Sequence, residues 1–279
     1  MGFASDIELM LIFAEAGRTN GVNSVSNAVF FEQLVNAVAS GITAPQDGIF
    51  HIDLRMRPFG QAGSAAVSLQ DFEKYYAVEG PAWPYERQTL VKFRCVAGKP
   101  EFRTVVTMAC HRAIYGTGQF EFSAMHAMRE RQIRQLVHGG AINVKLSDGG
   151  IVDCEYAVQA LQMTFGDEFL TLRHPNTVRV LSEAARLRLV DPPHRASIER
   201  AYIFLRELID CLRMVRGNAK DLTLPTPGTR DWQMLARRMK SIHDSDVPLE
   251  ELETQMANVR EFSAWVEQHC RKIREKLSD

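Results

Sequence analysis

Ser5-Asp6-Ile7-Glu8-Leu9, answered by His51-Ile52-Asp53-Leu54-Arg55-Met56-Arg57-Pro58, decides how this chain is read. Both stretches alternate polar and apolar residues, the period of a β-strand. Side chains two apart in a strand share a face. Asp6 and Glu8 therefore point the same way. So do His51, Asp53, Arg55 and Arg57, while Phe50, Ile52, Leu54 and Met56 point the other way. If the strands are neighbours, Asp6, Glu8 and Asp53 converge beside Arg55 and Arg57. Clustered carboxylates repel unless cations sit between them, and hard divalent cations prefer oxygen ligands. An arginine fork suits phosphate oxygens. The expected chemistry is metal-dependent phosphoryl or nucleotidyl transfer. His51, alone on its strand, reads as structural.

The bulk properties narrow the field. At 279 residues the chain can hold one large domain or two ordinary ones. An apolar content of 46% and a charged content of 24% belong to soluble globular proteins. With a net charge of −1 there is no global electrostatic case for nucleic acid or an anionic membrane. Cys95, Cys110, Cys154, Cys211 and Cys270 are scattered, without a C-x-x-C pair. That pattern reads as reduced, buried thiols of a cytoplasmic protein. No apolar run approaches the roughly 20 residues that span a bilayer. The start has neither the basic flank nor the apolar core of a signal peptide. Asp6 lies unusually near a free end, where chains fray. Either the fold ties this end down or Met1 is not the natural start.

Outward from these strands, residues 7–13 read as one largely buried strand, followed by loop chemistry at Gly17, Asn20, Gly21 and Asn23. Ser24 or Ser26 caps a helix to about Ser40, with Val29, Phe30, Leu34, Ala37 and Val38 at helical spacing. Pro45-Gln46-Asp47-Gly48 turns into the Asp53 strand, giving strand, helix, strand. Phe59-Gly60-Gln61-Ala62-Gly63-Ser64 is either a plain turn or one whose N–H groups approach a phosphate. Helix is expected over Leu69–Tyr76 and Phe102–Tyr115, and helix or strand over Glu86–Val96.

Strand signals then vanish, and Gly116-Thr117-Gly118 is the expected boundary between a domain of residues 1–118 and a helical bundle of 119–279. In the bundle, the run Arg129, Glu130, Arg131, Arg134 reads as a solvated helix face. Asp153 reads as an acid complementing the start of its own helix. Asp191-Pro192-Pro193 reads as a breaker before a helix over Ile198–Arg216. There is no H-E-x-x-H, no P-loop and no G-x-G-x-x-G. The acids and arginines of the two strands are the one specific signal.

Their wording is familiar. Met-Gly-Phe-Ala-Ser-Asp-Ile-Glu-Leu resembles the G-x-x-S-D-[IL]-D-L strand of glutamine synthetase adenylyltransferases, and His-Ile-Asp-Leu-Arg-Met-Arg-Pro-Phe-Gly resembles their V-D-x-R-L-R-P-x-G stretch. Ala82 to Arg94 is similar to their A-W-x-W-E-x-Q-A-L-x-x-A-R segment, and Lys145 to Gln159 to K-x-x-x-G-G-[IL]-x-D-[IL]-E-F-x-x-Q. The motifs occur in order over most of the chain and look more like the AMP-attaching, C-terminal unit of those enzymes.

The resemblance implies an α+β chain, with a nucleotidyltransferase domain of the DNA polymerase β type followed by helices. It implies Mg²⁺ held by Asp6, Glu8 and Asp53, with Asp53 also helping to deprotonate a tyrosine hydroxyl. ATP would be the substrate, and Arg55 and Arg57 would neutralise its triphosphate, with Lys92, Arg94 and Lys145 as second-rank phosphate contacts. Glutamine synthetase would be the target and a PII-type signal protein a further partner. Three features depart from the pattern: Glu8 replaces the usual aspartate, Tyr85 replaces a common tryptophan, and the superfamily's phosphate-binding Gly-Gly or Gly-Ser turn, expected upstream of the first acid, has no residues in this chain. An N-terminally truncated enzyme is one expectation; a noncatalytic module that docks on glutamine synthetase or a PII-type protein is the other.

Overall fold

The structure, a computed structural model of the chain, describes residues 6–42, 52–116, 120–137, 139–243 and 249–278. His51, the turn Pro45-Gln46-Asp47-Gly48, and Thr117 and Gly118 of the expected boundary lie outside the described residues. The chain divides into two compact units, Ala4–Thr117 and Gly118–Asp279. It is a mixed α/β protein with ten helices among its described residues.

The first unit begins with β1 (Ile7–Glu8) and β2 (Leu11–Phe13), then α1 (Asn27–Gly41), β3 (Ile52–Asp53) and β4 (Ala66–Ser68). β1 pairs in parallel with β3, and β2 in parallel with β4. Parallel neighbours need a crossover, and α1 supplies it. The single strand expected over 7–13 is thus two short ones. The chain changes partner between Glu8 and Leu11, while the Leu9 N–H still donates to the Asp53 carbonyl at 2.9 Å.

Of the two serines offered as caps, Ser26 serves; its Oγ accepts the Val29 N–H at 3.3 Å. The core here is Phe13, Val35 and Ala66, with Phe31 stacked on Phe13 at 5.0 Å between ring centroids. The stripe read from the sequence turns out to be the other face: Val29, Phe30, Leu34 and Val38 are 41–45% exposed. α1 is apolar on both sides. Periodicity finds the stripes, and the stacking of Phe31 on Phe13 decides which one faces the sheet.

Three helices complete the unit: α2 (Leu69–Tyr75), α3 (Pro84–Thr89) and α4 (Pro100–Tyr115). Ser68 caps α2. α3 opens on Pro84, and its start is held by Glu86, whose carboxylate accepts the Trp83 N–H at 2.7 Å and the Tyr75 hydroxyl at 2.8 Å. One 3₁₀ turn over Leu90–Lys92 follows, so the ambiguous Glu86–Val96 stretch is helical only as far as Lys92.

The second unit holds α5 (Phe122–Leu136), α6 (Ile151–Phe165), α7 (Thr177–Arg186), α8 (Pro192–Arg216), α9 (Arg230–His243) and α10 (Leu249–Ser278). α6 is buried on nearly every side, and α7, α8 and α10 pack against it. The expected breaker Asp191-Pro192-Pro193 is the start of α8: Asp191 Oδ1 accepts the His194 N–H at 2.9 Å. Prolines fit there because the first N–H groups of a helix have no intrahelical partner. Leu205, Leu208 and Leu212 of α8 are fully buried, each contributing about 1.5–3 kcal/mol of apolar burial. All five cysteines are free thiols and four of them are buried. Among the described residues no helix is long and apolar enough to cross a membrane.

Candidate active site

Parallel pairing places Glu8 directly opposite Asp53. Partners in register on adjacent strands lie about 4.8 Å apart and point to one side of the sheet. Asp6, two residues before Glu8, belongs to that side. Asp53 is buried at 7% exposure, and Asp6 and Glu8 are exposed. The backbone register therefore gathers the first acid pair and the later acid on one sheet face.

Arg55 binds Asp53. Its Nε donates to Oδ1 and Oδ2, both at 2.9 Å, its Nη2 donates to Oδ2 at 2.5 Å, and its own backbone N–H donates to Oδ1 at 2.8 Å. The guanidinium is held above its ordinary pKa by the hydrogen bonds and the charge of Asp53, with the charges of Asp6 and Glu8 adding in the same sense. One arginine thus senses all three carboxylates. Among the described residues, no three His, Cys, Asp or Glu side chains are gathered so as to hold a metal ion. The donor chemistry is that of a hard-cation site, but as placed the carboxylates do not form a ligand set.

Arg57 builds the loop that follows. Its Nε donates to the Gly60 carbonyl at 2.9 Å, and the Gly60 N–H donates to the Arg57 carbonyl at 2.8 Å. Phe59 is forced to φ +62°, a left-handed conformation that costs a bulky residue roughly 1–2 kcal/mol. Its ring is 62% exposed and packs edge-on against Tyr75 at 4.7 Å. The N–H groups of Gly60, Ala62 and Gly63 are spent on carbonyls of this loop, which makes it a closed turn and not a phosphate cradle. Gly63 is obligatory for its own reason: a Cβ there would lie 2.0 Å from the Pro58 carbonyl oxygen.

The remaining phosphate candidates are scattered. Lys92 ends the 3₁₀ turn after α3 and is half-buried, and Arg94 is exposed two residues further on. Lys145 belongs to the other unit, where it is exposed in the loop before α6.

Sequence reasoning misread one cluster. Arg129, assigned to a solvated face, is 5% exposed. Its Nε donates to Asp153 Oδ1 at 2.6 Å, and its Nη2 to Asp153 Oδ2 at 3.0 Å and to the Leu146 carbonyl at 3.1 Å. Its Nη1 donates to Gln132 Oε1 at 3.1 Å. Asp153 also accepts the Gly149 N–H at 2.8 Å, so the acid holds the loop before α6 as well as the arginine of α5. The signal was present. Met125, Met128, Arg129, Gln132 and Ile133 fall on one face of α5, and Glu130, Arg131 and Arg134 fall off it and are exposed.

Two family models match. Residues 1–108 match the one described as glutamate-ammonia ligase adenylyltransferase, and residues 123–276 match the one described as GlnD PII-uridylyltransferase. Both descriptions are of nucleotidyl-transferring enzymes, and the chain belongs to a nucleotidyltransferase family. Similar proteins make it more particular. A bifunctional glutamine synthetase adenylyltransferase/adenylyl-removing enzyme from Pasteurella multocida is 30% identical over 98% of this chain and 28% of its own length. Proteins of the same description from Hahella chejuensis and Chromobacterium violaceum are 32% and 31% identical, over 75% and 82% of this chain. The chain belongs to the glutamine synthetase adenylyltransferase family, its helical part matching the PII-uridylyltransferase model. It spans 22–28% of the length of these curated relatives.

Proposed function

We propose that this chain carries the carboxylates of a site that transfers AMP from ATP to a tyrosine hydroxyl of glutamine synthetase. The observation that carries the reading is the register: Glu8 opposite Asp53, with Asp6 on the same strand face and Arg55 among them. Family membership supplies the reaction class, and the relatives' description supplies the target. In the transfer, the tyrosine oxygen bonds to the α-phosphorus, the bond from that phosphorus to the bridging oxygen breaks, and pyrophosphate leaves.

The roles then divide by chemistry. Arg55 and Arg57 would supply positive charge to a loose, anionic transition state. Asp53 would help to deprotonate the tyrosine hydroxyl. On the family resemblance, Asp6, Glu8 and Asp53 would hold Mg²⁺, which would supply positive charge at the reacting phosphate. Lys92 and Arg94 would be second-rank phosphate contacts; Lys145, in the other unit, is a candidate on the family resemblance alone. A PII-type signal protein as a second partner rests on the family resemblance.

The test is transfer of label from α-³²P-ATP to glutamine synthetase with Mg²⁺, by this chain and by Asp6→Asn and Asp53→Asn variants. Wild type is expected to label and both variants to lose at least a hundredfold, the scale of losing one electrostatic contact to a transition state. Equal labelling by Asp6→Asn sinks the site. Binding of glutamine synthetase without any labelling would make the chain a docking module instead.

A further inference from the structure

We propose that Phe59 and Trp83 form a docking surface for an apolar segment of the protein substrate, beside the strand that carries Asp53 and Arg55. The proposal rests on the adenylyl-transfer reading for the identity of that protein.

Single exposed apolar side chains are ordinary, and several held out on one rigid frame are not. Phe59 is 62% exposed, Val78 74% and Trp83 64%. They come from two loops, and Tyr75, Glu86 and Arg87 tie those loops together. The buried Tyr75 ring supports Phe59 edge-on, its hydroxyl donates to Glu86, and its carbonyl accepts the Ala82 N–H at 3.2 Å. Glu86 in turn accepts the Trp83 N–H. The buried Arg87 donates to the carbonyls of Tyr76 and Ala77, which fixes the chain just before Val78. The Trp83 ring stacks on half-buried Tyr85 at 6.3 Å between centroids. A buried polar network thus presents apolar side chains to solvent. Phe59 adds a left-handed backbone, and such strain persists where binding sites are held ready. Side chains already ordered lose little entropy when a partner covers them.

Position and chemistry together name the occupant. The Arg57 N–H donates to the Arg55 carbonyl at 2.9 Å, and Arg57 is bonded both ways to Gly60, so the turn that carries Phe59 is fastened to the arginine strand. Phe59 follows Arg57 by two residues, about 7 Å of chain at most. Whatever sits on Phe59 therefore lies beside the carboxylate face. The reaction has two substrates to place there. ATP needs polar partners for its base edge and phosphates, and the N–H groups of Gly60, Ala62 and Gly63 are spent on carbonyls of the turn itself. A polypeptide suits the surface better. Phe, Trp and Tyr beside an exposed arginine are the anchoring composition of protein interfaces, with Arg55 on the polar rim. Contacts remote from the reacting hydroxyl also supply the binding energy that orients it.

The measurement is binding of fluorophore-labelled glutamine synthetase, by fluorescence anisotropy without nucleotide, for wild type, Phe59→Asn, Trp83→Ser and Val22→Ser. Asparagine tolerates a left-handed backbone and serine suits the residue before a helix, so both variants keep the local conformation. Thermal unfolding midpoints confirm that each is folded. F59N and W83S are each expected to weaken binding roughly tenfold or more, the scale of losing an aromatic anchor. Val22 is fully exposed in a different loop, and V22S is expected to bind like wild type. In AMP transfer, the KM for glutamine synthetase should rise by the same factor in F59N and W83S, with kcat and the KM for ATP within about twofold of wild type.

If F59N and W83S bind glutamine synthetase like wild type, or if wild type does not bind it, the docking surface is wrong. If the KM for ATP rises instead, the aromatics serve the nucleotide and the proposal is overturned. If V22S weakens binding as much, surface apolarity alone accounts for the effect, and the proposal falls again. If sedimentation shows a dimer of this chain that F59N and W83S dissociate, with glutamine synthetase binding unchanged, the occupant is a second copy and the protein substrate is overturned. If the two variants weaken binding but wild type transfers no label, the docking surface stands and the adenylyl-transfer reading falls.

Discussion

Two arginine–aspartate forks sit in this chain, one in each unit, and they differ in which partner is open. The Arg55 side chain is 67% exposed over an Asp53 side chain that is 9% exposed. The Arg129 side chain is 6% exposed and Asp153 is 17% exposed. Arg129 has further acceptors in Leu146 and Gln132, and Arg55 is bonded to Asp53 through guanidinium and backbone alike. The same pair of side chains is a lock where both are enclosed and an exchangeable contact where the cation reaches water. Exposure, more than the pair itself, separates a structural residue from a functional candidate.

Stability separates the two forks most directly. Arg129→Ala leaves Asp153 enclosed without its partner, and removing one member of a buried pair costs about 3–5 kcal/mol. Arg55→Ala removes a contact whose cation already faces solvent and should cost about 0–1 kcal/mol. Urea unfolding of the two variants measures the difference. Similar losses would mean that the two forks are not of different kinds.

Activity should run the other way. Arg55→Ala is expected to lower AMP transfer by roughly a hundredfold, as expected when one charge that meets the transition state is removed. The unfolding midpoint should stay where it was. An Arg55→Ala enzyme with unchanged turnover would make Arg55 a spectator and remove the functional side of the contrast.

These forks also mark what the sequence could and could not reveal. The alternation of Asp6, Glu8 and Asp53 was legible because strand periodicity is a local property, and so was the helical character of everything after Phe120. The fork on Asp53 was legible as two residues on one face, but not as a bond. Arg129 and Asp153 lie on different helices, and nothing local says that 24 residues of chain close between them. The charge run hid Arg129 because its neighbours Glu130 and Arg131 are exposed. Pro192 and Pro193 misled for a different reason: proline stops a helix from inside and starts one from its first turn. The α1 stripe was legible as a stripe and illegible as a direction, because Val35 and Phe31 compete with it from the opposite side.

A smaller effect tests the loop that supports the enclosed fork. Gly149 has φ +79°, and a Cβ there would lie 2.4 Å from the Met256 carbonyl oxygen. Gly149→Ala should therefore cost about 1–3 kcal/mol and loosen the N–H that Asp153 accepts. Hydrogen exchange at Gly149 and at the first turn of α6 is expected to speed up, with β1 and β3 unaffected. Unchanged exchange would mean that Asp153 is held by Arg129 alone.

The smallest expected effect is one of pH, and it belongs to histidine because arginine stays charged throughout the accessible range. His269 stacks on Trp265 at 4.6 Å between centroids, and its Nε2 is buried without a hydrogen-bond partner. Burial, followed by the charge of Lys272, holds its pKa below the ordinary value, and Asp191 pulls weakly the other way. Unfolded chain takes up a proton near pH 6.5, and the fold resists doing so. The unfolded state then binds more protons as pH falls below about 6.5, so stability declines in that direction. His174 is lowered by burial and by the charge of Arg179, and acts in the same sense. Asp191 is also lowered, chiefly by the His194 N–H, but its contribution is lost only as pH falls through the carboxylate range. Between pH 7.5 and 5.5 the histidines should therefore set the slope. His269→Phe keeps a ring against Trp265 and removes the proton site, so its unfolding midpoint should fall less over that interval than that of wild type. An unchanged slope would place the pH sensitivity of the helical unit at His174 or elsewhere, and would leave the buried Nε2 as a fixed cost that does not vary with pH.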